Sequence, residues 1–173
     1  MYCPFNYGFI PHTLSEDGDP VDAAVIGQVP VTPGVAVRSR PIGVLIMEDE
    51  AGGDEKIIAV PVDKLHPYFK NVGSYRDLPE VLREQVQHFF THYKDLGKWV
   101  KVKRWGEPDE AFQLIREGAQ RAGEGQAGKD GGAVASLLPT LFGHDGREFC
   151  CRCVRWLAAV KPTSRNLPCP RYR

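Results

Sequence analysis

The run Ile42-Gly43-Val44-Leu45-Ile46-Met47, followed by Glu48-Asp49-Glu50-Ala51-Gly52-Gly53-Asp54-Glu55-Lys56 and then Ile57-Ile58-Ala59-Val60-Pro61-Val62, decides how this chain is read. Two apolar stretches flank an acidic segment that contains two glycines, which is the pattern of two strands joined by a hairpin-type connection. The glycines permit a tight reversal. Asp49 and Asp54 are therefore expected to converge from the two strand ends, with the Lys56 ammonium nearby. A charged hairpin tip that only protects solubility is the plainer reading of the same residues.

Outward from the hairpin, alternating strand-like runs lie at Val21 to Gln28, Val35 to Met47, Lys56 to Val62 and Trp99 to Trp105. Leu78 to Leu96 has helical character: Pro79 and Glu80 suit a first turn, and Val81, Leu82, Val86, Phe89, Phe90 and Tyr93 fall on one face. A second helix is expected from Asp109 to Arg121. Strands first and helices later give an α+β order, mainly β. A length of 173 residues and 42% hydrophobic content suit one globular core.

The segment Asp17-Gly18-Asp19-Pro20-Val21-Asp22 crowds three carboxylates into a turn at the mouth of a strand. Like charges that close raise one another's pKa values, and a hard divalent cation with oxygen ligands removes the penalty. The proline and the spacing exclude an EF-hand loop. Asp-Gly and Asp-Pro are also ordinary solvated turn residues. At the other end of the first helix, Tyr93-Lys94 pairs a phenol donor with a point charge, and Lys98, Lys101, Lys103 and Arg104 continue a basic stretch. Acidic loops that call for cations, beside a basic patch with a tyrosine, describe a site for a polyanion bridged by metals. Phosphoryl chemistry is the natural match.

The run Asn6-Tyr7-Gly8-Phe9-Ile10-Pro11-His12-Thr13 and the segment Asp17 to Asp22 closely resemble the soluble inorganic pyrophosphatases of the bacterial, family I type. So do Arg40-Pro41-Ile42-Gly43-Val44, Asp49 to Gly52, Asp54, Lys56, His88 to Leu96 and Lys98 to Val102, and the resemblance fades near Arg121. It implies an OB-like barrel of five strands, incomplete here, with two helices packed outside. It implies Mg²⁺-dependent hydrolysis of pyrophosphate to two phosphates, with Mn²⁺ or Zn²⁺ as substitutes. Carried over residue by residue, Asp17, Asp22, Asp49 and Asp54 match metal ligands, and Asp19 matches the acceptor of the attacking water's proton. Tyr7, Lys56, Tyr93, Lys94 and Lys98 match groups that contact the phosphates or that water. A homo-hexamer is implied in the same way.

The chain departs from the family at both ends. The family has strands before the segment that begins this chain, and they supply a lysine, an arginine and glutamates to the site; Cys3 stands where the family has a tyrosine. The expectation is a pyrophosphatase-like domain over residues 1–121 that lacks its N-terminal strands. An inactive metal-binding fragment stays open as an alternative, and so does a barrel module that binds nucleic acid or another partner. Residues 118–132, rich in Gly, Ala and Gln, read as a flexible linker, and residues 122–173 as a linker and a disordered tail. Residues 1–116 carry 13 Lys+Arg against 17 Asp+Glu, and residues 117–173 carry 9 against 5, so overall neutrality hides an acidic first part and a basic tail. The five cysteines form no zinc-site spacing. With no secretory signal and no apolar run near the roughly 18 residues of a span, a cytoplasmic location without membrane contact is expected.

Overall fold

In the computed structural model, which describes residues 3–50, 52–94, 99–127 and 149–153, the hairpin is present as read. β3 (Ala36–Asp49) and β4 (Gly52–Pro61) pair antiparallel, with Asp49 opposite Gly52 and Met47 opposite Asp54. Gly52 makes the turn with a φ of 123°, a conformation that a Cβ would strain. β1 (Asn6–Phe9) runs antiparallel to β2 (Asp22–Val25), placing Phe9 opposite Asp22, and β2 lies parallel to β4, placing Asp22 opposite Lys56. β5 (Val100–Gly106) pairs with the second half of β3. These five strands, with α1 (Glu80–His92) and α2 (Pro108–Ala127), make up the expected mainly β architecture with two flanking helices.

Side chains alternate across a strand, and the alternation sorts the core into two. Leu45, Met47 and Ile58 join Ala24 and Phe5 on the face covered by Val86, Phe89 and Phe90 of α1. Val44, Ile57 and Ala59 join Val25 and Ile10 on the face covered by Ala111 and Ile115 of α2. Each fully buried side chain of this size contributes about 1.5–3 kcal/mol, so these two layers hold the sheet. Asp49, Asp54, Lys56, Asp22 and Tyr7 share parity with the α1 face, and the site follows from that.

Two expectations for the second half of the chain are corrected. The stretch read as a linker is helical as far as Ala127, because Ala and Gln are good helix formers and residues 111–119 bury one face of the helix. The tail contributes a sixth strand, β6 (Phe149–Cys153), lying between β1 and the first part of β3. The order is β4-β2-β1-β6-β3-β5, with β3 also paired to β4. Phe149 and Cys151 are buried in the α2-side core, which five residues of low periodicity did not announce. The remainder of the tail lies outside the described residues. α1 also ends earlier than expected, at His92, where the Tyr93 N–H caps Phe89 O at 2.9 Å.

Candidate active site

Lys56 is the centre of the site. Its side chain is 3% exposed, and its Nζ donates to Asp22 Oδ2 at 2.5 Å and also to Asp54 Oδ1. The parallel register of β2 and β4 sets Asp22 across from Lys56, and the two-residue repeat of β4 puts Asp54 on the same face. The Tyr7 hydroxyl hydrogen-bonds to Asp22 from the neighbouring β1. From the end of α1, Lys94 Nζ donates to Asp49 Oδ2 at 2.5 Å and stands 5.1 Å from the centre of the Tyr93 ring. Asp49 and Asp54 thus each hold a lysine from the same side of the hairpin.

The electrostatics tie these groups into one network. Burial pushes the Tyr7 phenol well up; the Lys56 charge opposes that rise while Asp22 and Asp54 add to it, so Tyr7 is a neutral donor at pH 7. Burial acts against the Lys56 charge, yet the Asp22 and Asp54 carboxylates more than offset it and keep the group an ammonium. Tyr93 is raised by burial, against the lowering pull of Lys56 and Lys94. Lys94 is raised despite burial by its bond to Asp49. The Glu55 carboxyl is raised by burial and then by Glu16 and Asp54, a sign of surplus negative charge along this rim.

The acidic turn is built differently. Its two ends are pinned where Ile10 N–H donates to Val21 O at 2.9 Å and buried Thr13 Oγ1 donates to Ile10 O at 2.6 Å while accepting Val21 N–H at 3.0 Å. Gly18, at φ 84°, reverses the chain, and Asp17 Oδ1 accepts the Asp19 N–H at 3.0 Å. α2 braces the turn from behind: Leu14 N–H donates to Gly118 O and Arg121 Nε to Leu14 O, both at 2.9 Å. A Cβ on Gly118 would stand 2.8 Å from Val21 Cγ2 and 3.1 Å from Leu14 O, so only glycine lets α2 come this close.

Of the four expected metal ligands, Asp22 and Asp54 share Lys56, Asp49 holds Lys94, and Asp17 lies exposed in the turn. Among the described residues, no three His, Cys, Asp or Glu side chains are gathered to hold an ion as they stand. The ammonium of Lys56 takes the point where Asp22 and Asp54 meet. Lys98 lies outside the described residues. Thr13, Gly118, Arg121 and Glu55 were not singled out from the sequence; a threonine ahead of an Asp-Gly turn is the one local signal available, since its hydroxyl can bond to nearby backbone.

No helix among the described residues is long and apolar enough to cross a membrane. The family model for inorganic pyrophosphatase matches residues 1–123. The inorganic pyrophosphatase of Caulobacter vibrioides is 59% identical over 126 residues, covering 72% of this chain and 71% of that protein. That of Bradyrhizobium diazoefficiens is 58% identical over 123 residues, covering 70% and 69%. Among solved structures, an inorganic phosphatase from Anaplasma phagocytophilum superposes with a TM-score of 0.69 at 46% identity, covering 70% of this chain and 72% of the other. The inorganic pyrophosphatase from Thermus thermophilus gives 0.67 at 42% identity, covering 70% and 71%.

Proposed function

This chain belongs to the inorganic pyrophosphatase family, and from that premise we propose that it hydrolyses inorganic pyrophosphate to two phosphates with Mg²⁺, with the catalytic unit in residues 1–121. The observation that carries the reading is the single network of Tyr7, Asp22, Asp49, Asp54, Lys56, Tyr93 and Lys94 on the α1 face of the sheet. Asp17, Asp22, Asp49 and Asp54 would hold Mg²⁺, with Mn²⁺ or Zn²⁺ as substitutes. The donor set fits a hard cation: it is all carboxylate oxygen. When bound, the ion neutralises the substrate and lowers the pKa of water.

The chain's own residues do the rest. Neutral Tyr7 and Tyr93 and charged Lys56, Lys94 and Lys98 offer donors to phosphate oxygens, where they stabilise charge that grows in the transition state. Asp19 accepts the proton of the attacking water. The water oxygen bonds to one phosphorus, the bridging P–O bond breaks, and its electron pair leaves with the second phosphate. Engaging Lys56 with substrate frees Asp22 and Asp54 for the cation, which couples the two binding events. An oligomeric, cytoplasmic enzyme belongs to the same reading, checked by light scattering and fractionation.

Phosphate release by the purified chain with pyrophosphate and Mg²⁺ tests the proposal. Turnover well above an Asp19→Ala control is expected. Turnover no higher than that control overturns it in favour of an inactive metal-binding fragment.

A further inference from the structure

β6 joins two strands that carry the site. It pairs with β1 through Gly8 opposite Cys153 and Phe9 opposite Arg152, next to Tyr7, and with β3 from Ala36 opposite Arg152 to Ser39 opposite Phe149. Nothing else among the described residues pairs β1 to β3; β1 otherwise pairs with β2 alone. Without β6, a four-residue strand would be held along one edge only, while the first part of β3 would show unpaired N–H and C=O groups. Phe149 is 1% exposed and Cys151 0%, and both sit in the core with Ile10, Val21 and Val25, residues at the two ends of the acidic turn and along β2.

From this placement we propose that the tail strand is a clamp for the active site: Phe149 and Cys151 are positioning residues that hold β1, and through it Tyr7, in register with Asp22 and Lys56. The proposal rests on the pyrophosphatase reading above for its catalytic consequence, and on the strand pairing alone for the clamp itself. Tyr7 sits one residue from Gly8, the first β1 residue that β6 grips. A strand paired on both sides fixes that phenol; a strand paired on one side lets it drift, and a displacement of about 1 Å in a positioning group costs on the order of 10²-fold in rate. Asp54 and Lys56 are spared, because β4 is held by β2 and β3 whether or not β6 is docked.

The test uses the full chain carrying Arg38→Cys, since Arg38 and Cys150 are directly opposite in the β3–β6 ladder, within reach of a disulfide. Mild oxidation should join position 38 to Cys150 within one chain, read by peptide mass mapping. Free thiols at both positions in the folded, oxidised protein would overturn the clamp, and so would a link made only between two chains. In the turnover arm, Phe149→Ala should lower kcat by about tenfold or more with the circular dichroism unchanged, and Phe149→Leu should restore most of it. Adding Arg38→Cys to Phe149→Ala should make kcat recover on oxidation and fall again on reduction. A Phe149→Ala chain with wild-type kcat, or one whose kcat ignores the disulfide, overturns the positioning role. A wild-type chain with no turnover counts against the pyrophosphatase reading, and the mass mapping then decides the clamp.

Discussion

The Lys56 cluster and the acidic turn of residues 15–21 carry the same chemistry, carboxylates placed at strand ends, yet they are held in opposite ways. Asp22 and Asp54 are fixed by strand register around a buried ammonium. Asp17 and Asp19 are fixed by backbone: Thr13 below, Gly18 at the bend, and α2 behind. The first arrangement is ordered by charge and fails when charge is removed. The second is ordered by hydrogen bonds and close packing, so its acids stand ready at the surface with little of the fold depending on them.

Removing Lys56 should therefore break the first region hardest. Lys56→Met leaves two carboxylates facing each other with no cation between them and is expected to cost about 3–5 kcal/mol in urea unfolding. Millimolar Mg²⁺ should recover part of that loss by binding the folded state, whereas Asp17→Asn should leave stability near wild type under the same conditions. Equal losses in both variants would erase the contrast.

High pH attacks the same region without mutation. Tyr7, Lys56, Tyr93 and Lys94 are all raised in the folded chain, and the Cys3 thiol is pushed by burial up to about 11. The folded state then binds more protons than the unfolded one above their ordinary values. Stability from these groups is complete at neutral pH and is lost as pH rises from about 9 for Cys3, and from about 10 for the tyrosines and lysines, through their folded values. Unfolding midpoints measured from pH 7 to 11 should stay level to about 9 and then drop steeply; a flat profile to 11 would contradict the buried network.

The turn should yield to smaller, packing-type changes. Gly118→Ala is expected to cost about 1–3 kcal/mol by forcing α2 off Val21 and Leu14. Thr13→Val leaves the Val21 N–H without its hydroxyl acceptor and is expected to cost about 1–3 kcal/mol. Both should lower turnover through Asp19 while leaving the high-pH transition in place. Arg104→Ala, which removes an exposed pair with Glu110, should leave the midpoint unchanged, since such pairs hold little.

The hairpin and α1 were legible because their signals are local: apolar runs on both sides of a glycine-bearing acidic turn, and Val86, Phe89 and Phe90 at helical spacing. The resemblance marked the residues that the structure brings together around Lys56. What no local pattern contains is the register between distant strands. Lys56 meets Asp22 because β2 lies parallel to β4, a pairing that depends on the whole sheet; the hairpin placed the Lys56 ammonium near Asp49 and Asp54, and only the sheet adds Asp22 to it. β1 is four residues without clear alternation and became a strand through its neighbours. β6 is the extreme case: Phe149 and Cys151 are apolar residues in a basic tail, and only the gap between β1 and β3 makes them core. Residues 118–127 looked like linker by their glycines, yet Gly118 is the position where a helix must come close.

The most direct measurement of the central claim is the initial rate of phosphate release from pyrophosphate and Mg²⁺ by the full chain beside its Asp54→Asn variant, both shown to be folded by circular dichroism. A network that binds and turns over pyrophosphate predicts a fall of about a hundredfold or more in the variant. Equal rates in the two proteins would contradict it.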